Sequence, residues 1–218
     1  MRRWIPPLSV VVALAFSLWA FPRLPDRVPT HWGIDGQVNG WSGRAFGAFF
    51  LPVLMAAMWG LFALLPRIDP RARNYDKFRA TYDAVVAALI LMALVGHVAV
   101  VGAGLGWPVS IARVYPVMIG ALLVFFGNLL PRARSNFFFG IRTPWTLSSE
   151  RVWERTHRFS GAATVLAGIV VILSVFAPPR WSAWVILSSV MTMGLASVVY
   201  SYVAWRQETG RGHDAPGA

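Results

Sequence analysis

The chain of 218 residues is 56% hydrophobic and only 13% charged. A soluble domain usually carries about 25% charged residues, so this deficit indicates a lipid environment. The sequence contains no cysteine, which excludes disulfides and thiolate metal sites. Its formal net charge of +11 could indicate nucleic acid as a partner. The basic residues, however, lie between long apolar runs, so we expect membrane topology and no direct nucleic-acid binding.

Six apolar runs are long enough to cross a bilayer, since a helical crossing needs about 20 mostly apolar residues. We therefore predict an all-α integral membrane protein with six transmembrane helices, over residues 5–21, 46–65, 84–105, 114–130, 161–176 and 183–204. The first run could be a secretory signal that starts with Arg2 and Arg3. Its cleavage site would lie near Ala20, where Trp19 is bulky and Pro22 follows, so we expect a retained helix.

The distribution of basic residues predicts the orientation of the helices. Cytoplasmic segments carry an excess of Lys and Arg, and fifteen of the 20 basic residues lie in the two terminal segments and the second-to-third and fourth-to-fifth connections. Both termini are therefore predicted to be cytoplasmic. We divide the chain into three parts. The N-terminal three-helix half (residues 1–110) contains the external loop (22–45), and the C-terminal three-helix half (residues 111–205) contains the cytoplasmic loop (131–160). Residues 206–218 are predicted to form a flexible tail.

The external loop combines turn residues with aromatic residues. The dipeptides Asp35-Gly36 and Asn39-Gly40 are strong turn signals, because Gly, Asn and Asp tolerate positive φ. We expect a compact lid on the membrane that recognises an external ligand, with the candidate binding residues His31, Trp32, Asp35 and Trp41. Imidazole and carboxylates also suit several metals, so a weak alternative is a cation site at Asp26, His31 and Asp35. Because their spacing matches no known ligand pattern, we predict neither a metal nor a cofactor.

The cytoplasmic loop is rich in Gly, Pro, Trp, Arg and His, which a merely solvated connection does not need. Phe137, Phe138 and Phe139 are too apolar for the cytosol, so we expect them in the interface or in the inner mouth of the bundle. Ser148 is predicted to cap a helix over residues 149–159, whose positive first turn contains Glu150. One face of this amphipathic helix carries Trp153, Thr156, His157 and Ser160.

Two roles stay open for this loop. In the first, its helix lies on the membrane surface, anchored by Trp153, while its arginines meet the phosphates of membrane lipids. In the second, the loop docks a cytoplasmic partner, and the candidate residues are Asn136, Gly140, Arg142, Thr143, Pro144, Trp145, Thr146, Trp153, His157 and Arg158.

Two polar side chains fall inside the predicted membrane spans. His97 lies near the middle of the third run, where an ionisable group is a functional hypothesis by default, although a neutral His can also serve in helix packing. Asn128 lies near the inner end of the fourth run and is expected to bond across helices. The sequence contains no nucleophile elbow, zincin motif or P-loop. We therefore predict that the protein is not an enzyme.

Two segments resemble the SdpI family of bacterial membrane proteins. An N-terminal domain of unknown function that is common in that family is similar to the pattern Leu24-Pro25, Val28-Pro29-Thr30-His31-Trp32, Gly36, Leu51-Pro52, Leu65-Pro66-Arg67 and Asp69-Pro70. The C-terminal signature of the family is similar to Leu130-Pro131, Asn136, Gly140-Ile141-Arg142-Thr143-Pro144-Trp145-Thr146, Glu150, Val152-Trp153 and Thr156-His157-Arg158. Together with the six spans, the resemblance covers roughly residues 1–205.

The resemblance implies an immunity protein and receptor in the bacterial inner membrane. Such a protein senses or neutralises a secreted antimicrobial peptide toxin, and in a toxin-producing operon it also recruits a cytoplasmic transcriptional regulator. A first alternative is a small transporter for a peptide or apolar substrate, with His97 in its path. A second is a membrane enzyme that acts on phosphorylated lipid precursors through the Arg-rich inner loop.

Overall fold

The structure, a computed structural model, describes residues 2–213. Six helices in this part of the chain are long and apolar enough to cross a membrane, which confirms the predicted fold class. They are α1 (Ile5–Ala20), α2 (Arg44–Ile68), α3 (Tyr75–Gly104), α4 (Ile111–Leu129), α6 (Glu150–Leu173) and α7 (Pro179–His213). The other elements are the short helix α5 (Pro144–Ser148) and the strands β1 (Arg27–Trp32) and β2 (Val38–Gly43).

Two helices begin earlier than their apolar runs predict. Helix α3 begins at Tyr75 because its first turns bury aromatic side chains against α1 and α2, in a core cluster that includes Phe78, Tyr82 and Ile90. Helix α6 begins at Glu150 and runs straight into the fifth span. The amphipathic loop helix predicted over residues 149–159 is therefore not a separate element but the first part of α6.

A short helix that the sequence analysis missed precedes α6. Thr143 is extended and caps α5 through a reciprocal pair of bonds with Thr146, and Pro144 occupies the first helical position. Ser148 is the last residue of this helix and is not the cap of the next one. The extended residue that follows, Ser149, caps α6 by accepting the backbone N–H of Val152 at 3.3 Å. The predicted cap is thus wrong by one position.

Helices α1–α3 form one bundle, and helices α4, α6 and α7 form a second, with α3 lying against α4 at the seam between them. In the N-terminal half the core contains Val10, Met55 and Ile90. The last helix continues past the predicted span as far as His213, so the first part of the predicted tail (206–218) is helical. Residues 214–218 of that tail lie outside the described part of the chain.

Glycines set the distance between α4 and α6. A Cβ added to Gly120 would lie 2.6 Å from the carbonyl oxygen of Gly168, and one added to Gly127 would lie 2.6 Å from that of Gly161. Conversely, a Cβ added to Gly168 would lie 2.6 Å from the carbonyl oxygen of Gly120, and one added to Gly161 would lie 2.7 Å from that of Gly127. In both helices the glycines are seven residues apart, about two turns, so they share one face. The two backbones therefore touch directly, the close approach that small residues permit between membrane helices.

The external loop forms a β-hairpin, in which β1 and β2 pair antiparallel. Its turn contains Asp35 and Gly36, and Gly36 has φ 79°, which confirms the first predicted turn. The second predicted turn, at Asn39-Gly40, is wrong. Both residues lie in β2, and Gly40 pairs with His31 across the hairpin. The base of the hairpin is fixed to the N-terminal half by Leu24 and Val28, which are buried in a cluster with Ala20, Ala48 and Val101.

We predict that Gly127→Val destabilises the C-terminal half by about 1–3 kcal/mol, the usual cost of overpacking, because its side chain must displace the backbone of α6. The measurement is the thermal unfolding midpoint in detergent micelles. Gly194→Val on α7 is the matched control, since an added Cβ there meets no atom within 4 Å. Equal shifts for the two variants would contradict the direct α4–α6 contact.

The orientation of the helices stays a prediction, and the absence of native cysteine makes it simple to measure. Asp35 in the hairpin and Ser148 at the end of α5 are both exposed. In intact cells we expect a membrane-impermeant maleimide to label Asp35→Cys and to leave Ser148→Cys unlabelled until the membrane is permeabilised. Labelling of Ser148→Cys in intact cells would reverse the predicted topology.

Candidate functional site

A buried carboxylate joins the two halves at the end of the bundle predicted to be cytoplasmic. Asp69, directly after α2, is only 4% exposed. Its Oδ1 accepts the backbone N–H of Arg71 at 2.7 Å, and its Oδ2 accepts the hydroxyl of Tyr75 at 3.0 Å and the backbone N–H of Phe137 at 2.9 Å. A buried charge is tolerated when it is well hydrogen-bonded. Because Phe137 belongs to the C-terminal half, the bonds of this carboxylate connect both halves.

The next residues of the N-terminal half add further bonds to the same loop. Arg71 donates to the hydroxyl of Ser135 and to the carbonyl of Leu147, the latter at 2.7 Å, and its guanidinium lies over the ring of Phe137, 5.3 Å from the centroid. Asn74 donates to the carbonyl of Ser135 at 2.7 Å. The segment after α2 thus holds the inner loop at several separate points.

Asn136 folds the loop around its own side chain. It is fully buried, and its Oδ1 accepts the backbone N–H groups of Phe138 at 2.9 Å and Phe139 at 2.6 Å. Its Nδ2 donates to the carbonyl of Arg134 at 2.8 Å and to that of Phe139 at 3.0 Å. All the polar valences of the amide are therefore used inside the loop, so Asn136 is a structural centre rather than a contact surface.

The three phenylalanines that follow Asn136 have different environments. Phe139 packs between the halves, against Phe78 of α3 and against a cluster of Ala84, Val85 and Leu129. This position matches the predicted plug of the inner mouth. Phe137 and Phe138 are instead 38% and 36% exposed, which leaves two apolar rings on the outside of the loop.

His157 is held in one tautomer by two backbone groups. Its Nδ1 lies 2.8 Å from the carbonyl of Trp153 and must donate, whereas its Nε2 accepts the N–H of Ile141 at 3.0 Å. The imidazole stacks on Trp153 at 4.0 Å between centroids. Trp153 is itself fully buried and donates to the carbonyl of Ala133 at 2.8 Å. The hypothesis that Trp153 anchors a surface helix in lipid is therefore wrong, because its indole N–H bonds inside the protein.

Gly140 occupies a position that accepts no other residue. Its φ is 106°, in the left-handed region that favours glycine. A Cβ built there would overlap the Nε2 of His157, the atom that accepts the next backbone N–H of the loop. The glycine in the signature is thus explained by the histidine seventeen residues later.

The C-terminal helix completes the loop assembly. The Thr143 hydroxyl donates to Ser201 of α7 at 3.1 Å, and Ser149 donates to Glu208 of α7 at 2.8 Å. The inner half of α7 is therefore bonded to both ends of α5.

The structure divides the ten docking candidates of the inner loop by exposure. Five are buried and form the loop itself: Asn136, Thr143, Thr146, Trp153 and His157. Gly140 and Trp145 are half-buried, and the ring of Trp145 lies against Tyr202 at 5.1 Å. The exposed candidates are Arg142, Pro144 and Arg158.

A cavity of about 290 Å³ lies at the opposite end of the bundle, between the hairpin and the first turns of α4 and α7. His31 and Trp32, two of the predicted ligand residues, line it, whereas Asp35 and Trp41 are not among its lining residues. The turn of the hairpin approaches α4 closely, since a Cβ on Gly36 would lie 2.8 Å from that of Ala112. The walls are mainly apolar and include Ile34, Ile111, Tyr115, Pro116, Ala183 and Ile186.

The residues of the weak metal candidate do not converge. Asp26 forms an ion pair with Arg44 at 2.7 Å, and the Oδ1 of Asp35 accepts the backbone N–H of Gln37 at 3.0 Å. The Nδ1 of His31 lies 2.5 Å from Asn39. Within residues 2–213, no group of three or more His, Cys, Asp or Glu residues is arranged to hold a metal ion.

The two intramembrane polar residues have different contacts. His97 is fully buried, and its Nε2 lies 2.9 Å from the Ser17 hydroxyl, which is also 2.6 Å from the carbonyl of Ala48. These contacts of the Ser17 hydroxyl join α1, α2 and α3. Asn128 is exposed and donates to the carbonyl four residues earlier at 2.8 Å, so the predicted bond across helices is not formed.

Asp69 appeared in the sequence only as part of the N-terminal family pattern, and neither it nor Arg71, Tyr75 or the cavity residues of α4 and α7 were predicted as site residues. One signal was available, since Asp69 is the single acid in a segment that is otherwise basic, from Arg67 to Arg73. The remaining residues are ordinary apolar positions of membrane helices, which only the packing distinguishes.

Comparisons with known proteins agree with this architecture. Residues 8–56 match a domain of unknown function (DUF1648), and residues 132–202 match the SdpI/YfhL protein family. The chain is 26% identical over 199 residues to the immunity protein SdpI of Bacillus subtilis (strain 168), which covers 90% of this chain and 91% of that protein. No solved structure matches the chain.

The fold and its bonded inner loop define a six-helix, multi-pass membrane protein with a β-hairpin at one end. The buried signature residues lie in the region matched as SdpI/YfhL, and the hairpin lies in the region matched as DUF1648. The resemblance to the SdpI family noted in the sequence is thereby confirmed over these two regions, and the similarity to the Bacillus subtilis protein along 90% of the chain agrees with it.

We predict that Asp69→Ala loosens the inner loop, because three donors lose their acceptor and a buried unpaired donor costs about 1–3 kcal/mol. Hydrogen exchange should accelerate at the backbone amides of Phe137 and Arg71, and the unfolding midpoint should fall. Asp76→Ala is the control, since this acid is exposed in the first turn of α3. Unchanged exchange at Phe137 would contradict the role of the carboxylate.

Proposed function

We propose that this protein is an immunity protein of the bacterial cytoplasmic membrane, which binds a secreted antimicrobial peptide toxin on its outer face and relays the binding to its inner loop. The observation that carries the proposal is the outer cavity, which lies between the DUF1648 hairpin and helices of the C-terminal half. The immunity protein of Bacillus subtilis, which aligns along 90% of the chain, supports the same function.

The chemistry of the outer cavity suits an apolar peptide segment. Its walls are aliphatic and aromatic, and the polar groups at its edge are few, among them the hydroxyl of Thr30 and the imidazole of His31. Such a combination of apolar surface and a few polar groups is typical of ligand sites. An aromatic anchor that is half-buried before binding, such as Trp32, is also the kind of residue that dominates peptide interfaces.

Binding at this cavity has a mechanical connection to the inner loop. Helix α7 contributes Pro179 and Ile186 to the cavity, and its other end bonds to the loop through Ser201 and Glu208. A ligand shifts a conformational equilibrium only when it binds the two states differently. A peptide wedged between the hairpin and α7 favours one separation of these elements, and the inner end of α7 passes the difference to the loop.

The exposed part of the inner loop is the proposed docking surface for a cytoplasmic regulator. Arg142 and Arg158 are exposed cations, and the exposed rings of Phe137 and Phe138 lie in the same loop assembly. Aromatic and arginine side chains are enriched in protein interfaces. A regulator with an acidic and apolar contact surface would complement them.

The rival functions have less support in the structure. The transporter hypothesis requires His97 in a substrate path, but its ring is fully buried and bonded to Ser17. The enzyme hypothesis relies on the inner arginines, and Arg142 donates to the carbonyl of Phe137 at 2.5 Å within the same loop. Neither residue lines the outer cavity.

We predict that Trp32→Ala abolishes protection in a peptide-sensitive bacterial host, with the minimal inhibitory concentration of the recognised peptide falling about tenfold or more, as for a central interface residue. The assay exposes the host, with and without this protein, to a panel of purified antimicrobial peptides. Trp41→Ala is the matched control, because this tryptophan of the same hairpin is exposed and does not line the cavity.

If the wild-type protein protects against no peptide in the panel and binds none, the immunity function is contradicted. If protection survives Trp32→Ala but not Trp41→Ala, the binding site is elsewhere on the hairpin.

A further inference from the structure

A second large cavity lies along the seam between the two halves, at the level of the membrane spans. This groove of about 680 Å³ runs between α3 and α4, and Ile5 of α1 closes one end. Alanines on both helices create its depth, and larger side chains form its rims. Several rim residues are well exposed, so the groove opens toward the bilayer; they include Leu91, Val95 and Phe125.

The lining of the groove restricts what can occupy it. Every lining residue is apolar except Arg132, which lies just past the end of α4. Water gains no hydrogen bonds from such walls, and the hydrocarbon core that surrounds the spans offers acyl chains. The groove is thus apolar along its length and has one cation at its end. This arrangement matches a phospholipid, which has an apolar acyl chain and a charged headgroup.

We propose that this groove binds an anionic phospholipid, whose acyl chain lies between α3 and α4 and whose phosphate pairs with Arg132. In the described part of the chain Arg132 takes part in no ion pair, whereas its neighbour Arg134 pairs with Glu154 at 2.6 Å. A guanidinium binds phosphate through two parallel hydrogen bonds, and basic pockets between membrane helices are suited to lipid headgroups. The proposal is independent of the immunity function.

A lipid at this position would stabilise the inner loop as well as the seam. The groove ends at Ala84 and Leu129, and both residues belong to the cluster against which Phe139 packs. A chain that fills the groove supports this cluster from the membrane side. The N-terminal and C-terminal halves would then share a lipid at the same end of the bundle where Asp69 joins them by hydrogen bonds.

The test is native mass spectrometry of the full-length protein, released from detergent micelles that contain either phosphatidylglycerol or phosphatidylcholine with identical acyl chains. We expect preferential retention of one phosphatidylglycerol, lowered roughly fivefold by Arg132→Gln, the effect of losing one basic contact near an anionic surface. Arg73→Gln is the charge control, since Arg73 is exposed and lies after α2 at the same end of the bundle. Equal retention of the two lipids would overturn the proposal.

Filling the groove is the second arm. Ala121→Trp places a large ring in the groove from an exposed position and should abolish retention, whereas Leu195→Trp, on the exposed face of α7, should not. A photoactivatable acyl-chain phosphatidylglycerol checks the wild type independently of how the variants fold, and its crosslinks are expected within residues 84–95 and 118–129. Crosslinks that spread evenly over all six helices would overturn the proposal. A dimer that contains no lipid and that Ala121→Trp dissociates would also overturn it, because a second copy of the chain would then occupy the groove.

Discussion

Three donors converge on the carboxylate of Asp69, and one of them, the backbone N–H of Phe137, comes from the opposite half of the molecule. The inner loop depends on this contact because Asn136, at the centre of the loop, uses its amide groups for hydrogen bonds within the loop. The link of Asn136 to the N-terminal half is a long hydrogen bond from the hydroxyl of Tyr75. Arg71 reinforces the contact from the same segment. The fold of the C-terminal signature loop is therefore explained only together with Asp69, which lies sixty-eight residues before Phe137.

The second constraint is the contact between α4 and α6. Their glycine pairs bring two backbones together, so neither helix can shift without the other. Since α4 begins at the outer cavity and ends beside the inner loop, and α6 begins with the loop residues Trp153 and His157, a rigid pair connects the two ends of the C-terminal half.

The contacts of the C-terminal signature residues show that most of them have structural roles within the loop. Gly140 and His157 form one unit, because the glycine's missing Cβ gives room to the imidazole that accepts a loop N–H. Thr143 and Thr146 cap one short helix, and Trp153 holds the carbonyl of Ala133. Most of the motif therefore specifies how the loop folds. The proposed recognition role is thereby restricted to the exposed residues of the motif, such as Arg142 and Arg158.

The sequence by itself determined the six helices. A run of about 20 apolar residues crosses a bilayer as a helix, because a helix satisfies its backbone hydrogen bonds internally where no water is present. It also indicated the hairpin turn at Gly36 and the importance of the signature. It did not determine that residues 150–173 form one helix, that Ser149 rather than Ser148 is the cap, or that Trp153 is buried. Tertiary structure decided these points, together with the outer cavity and Asp69, because they depend on partners far away in the chain. Local pattern carries no information on such contacts.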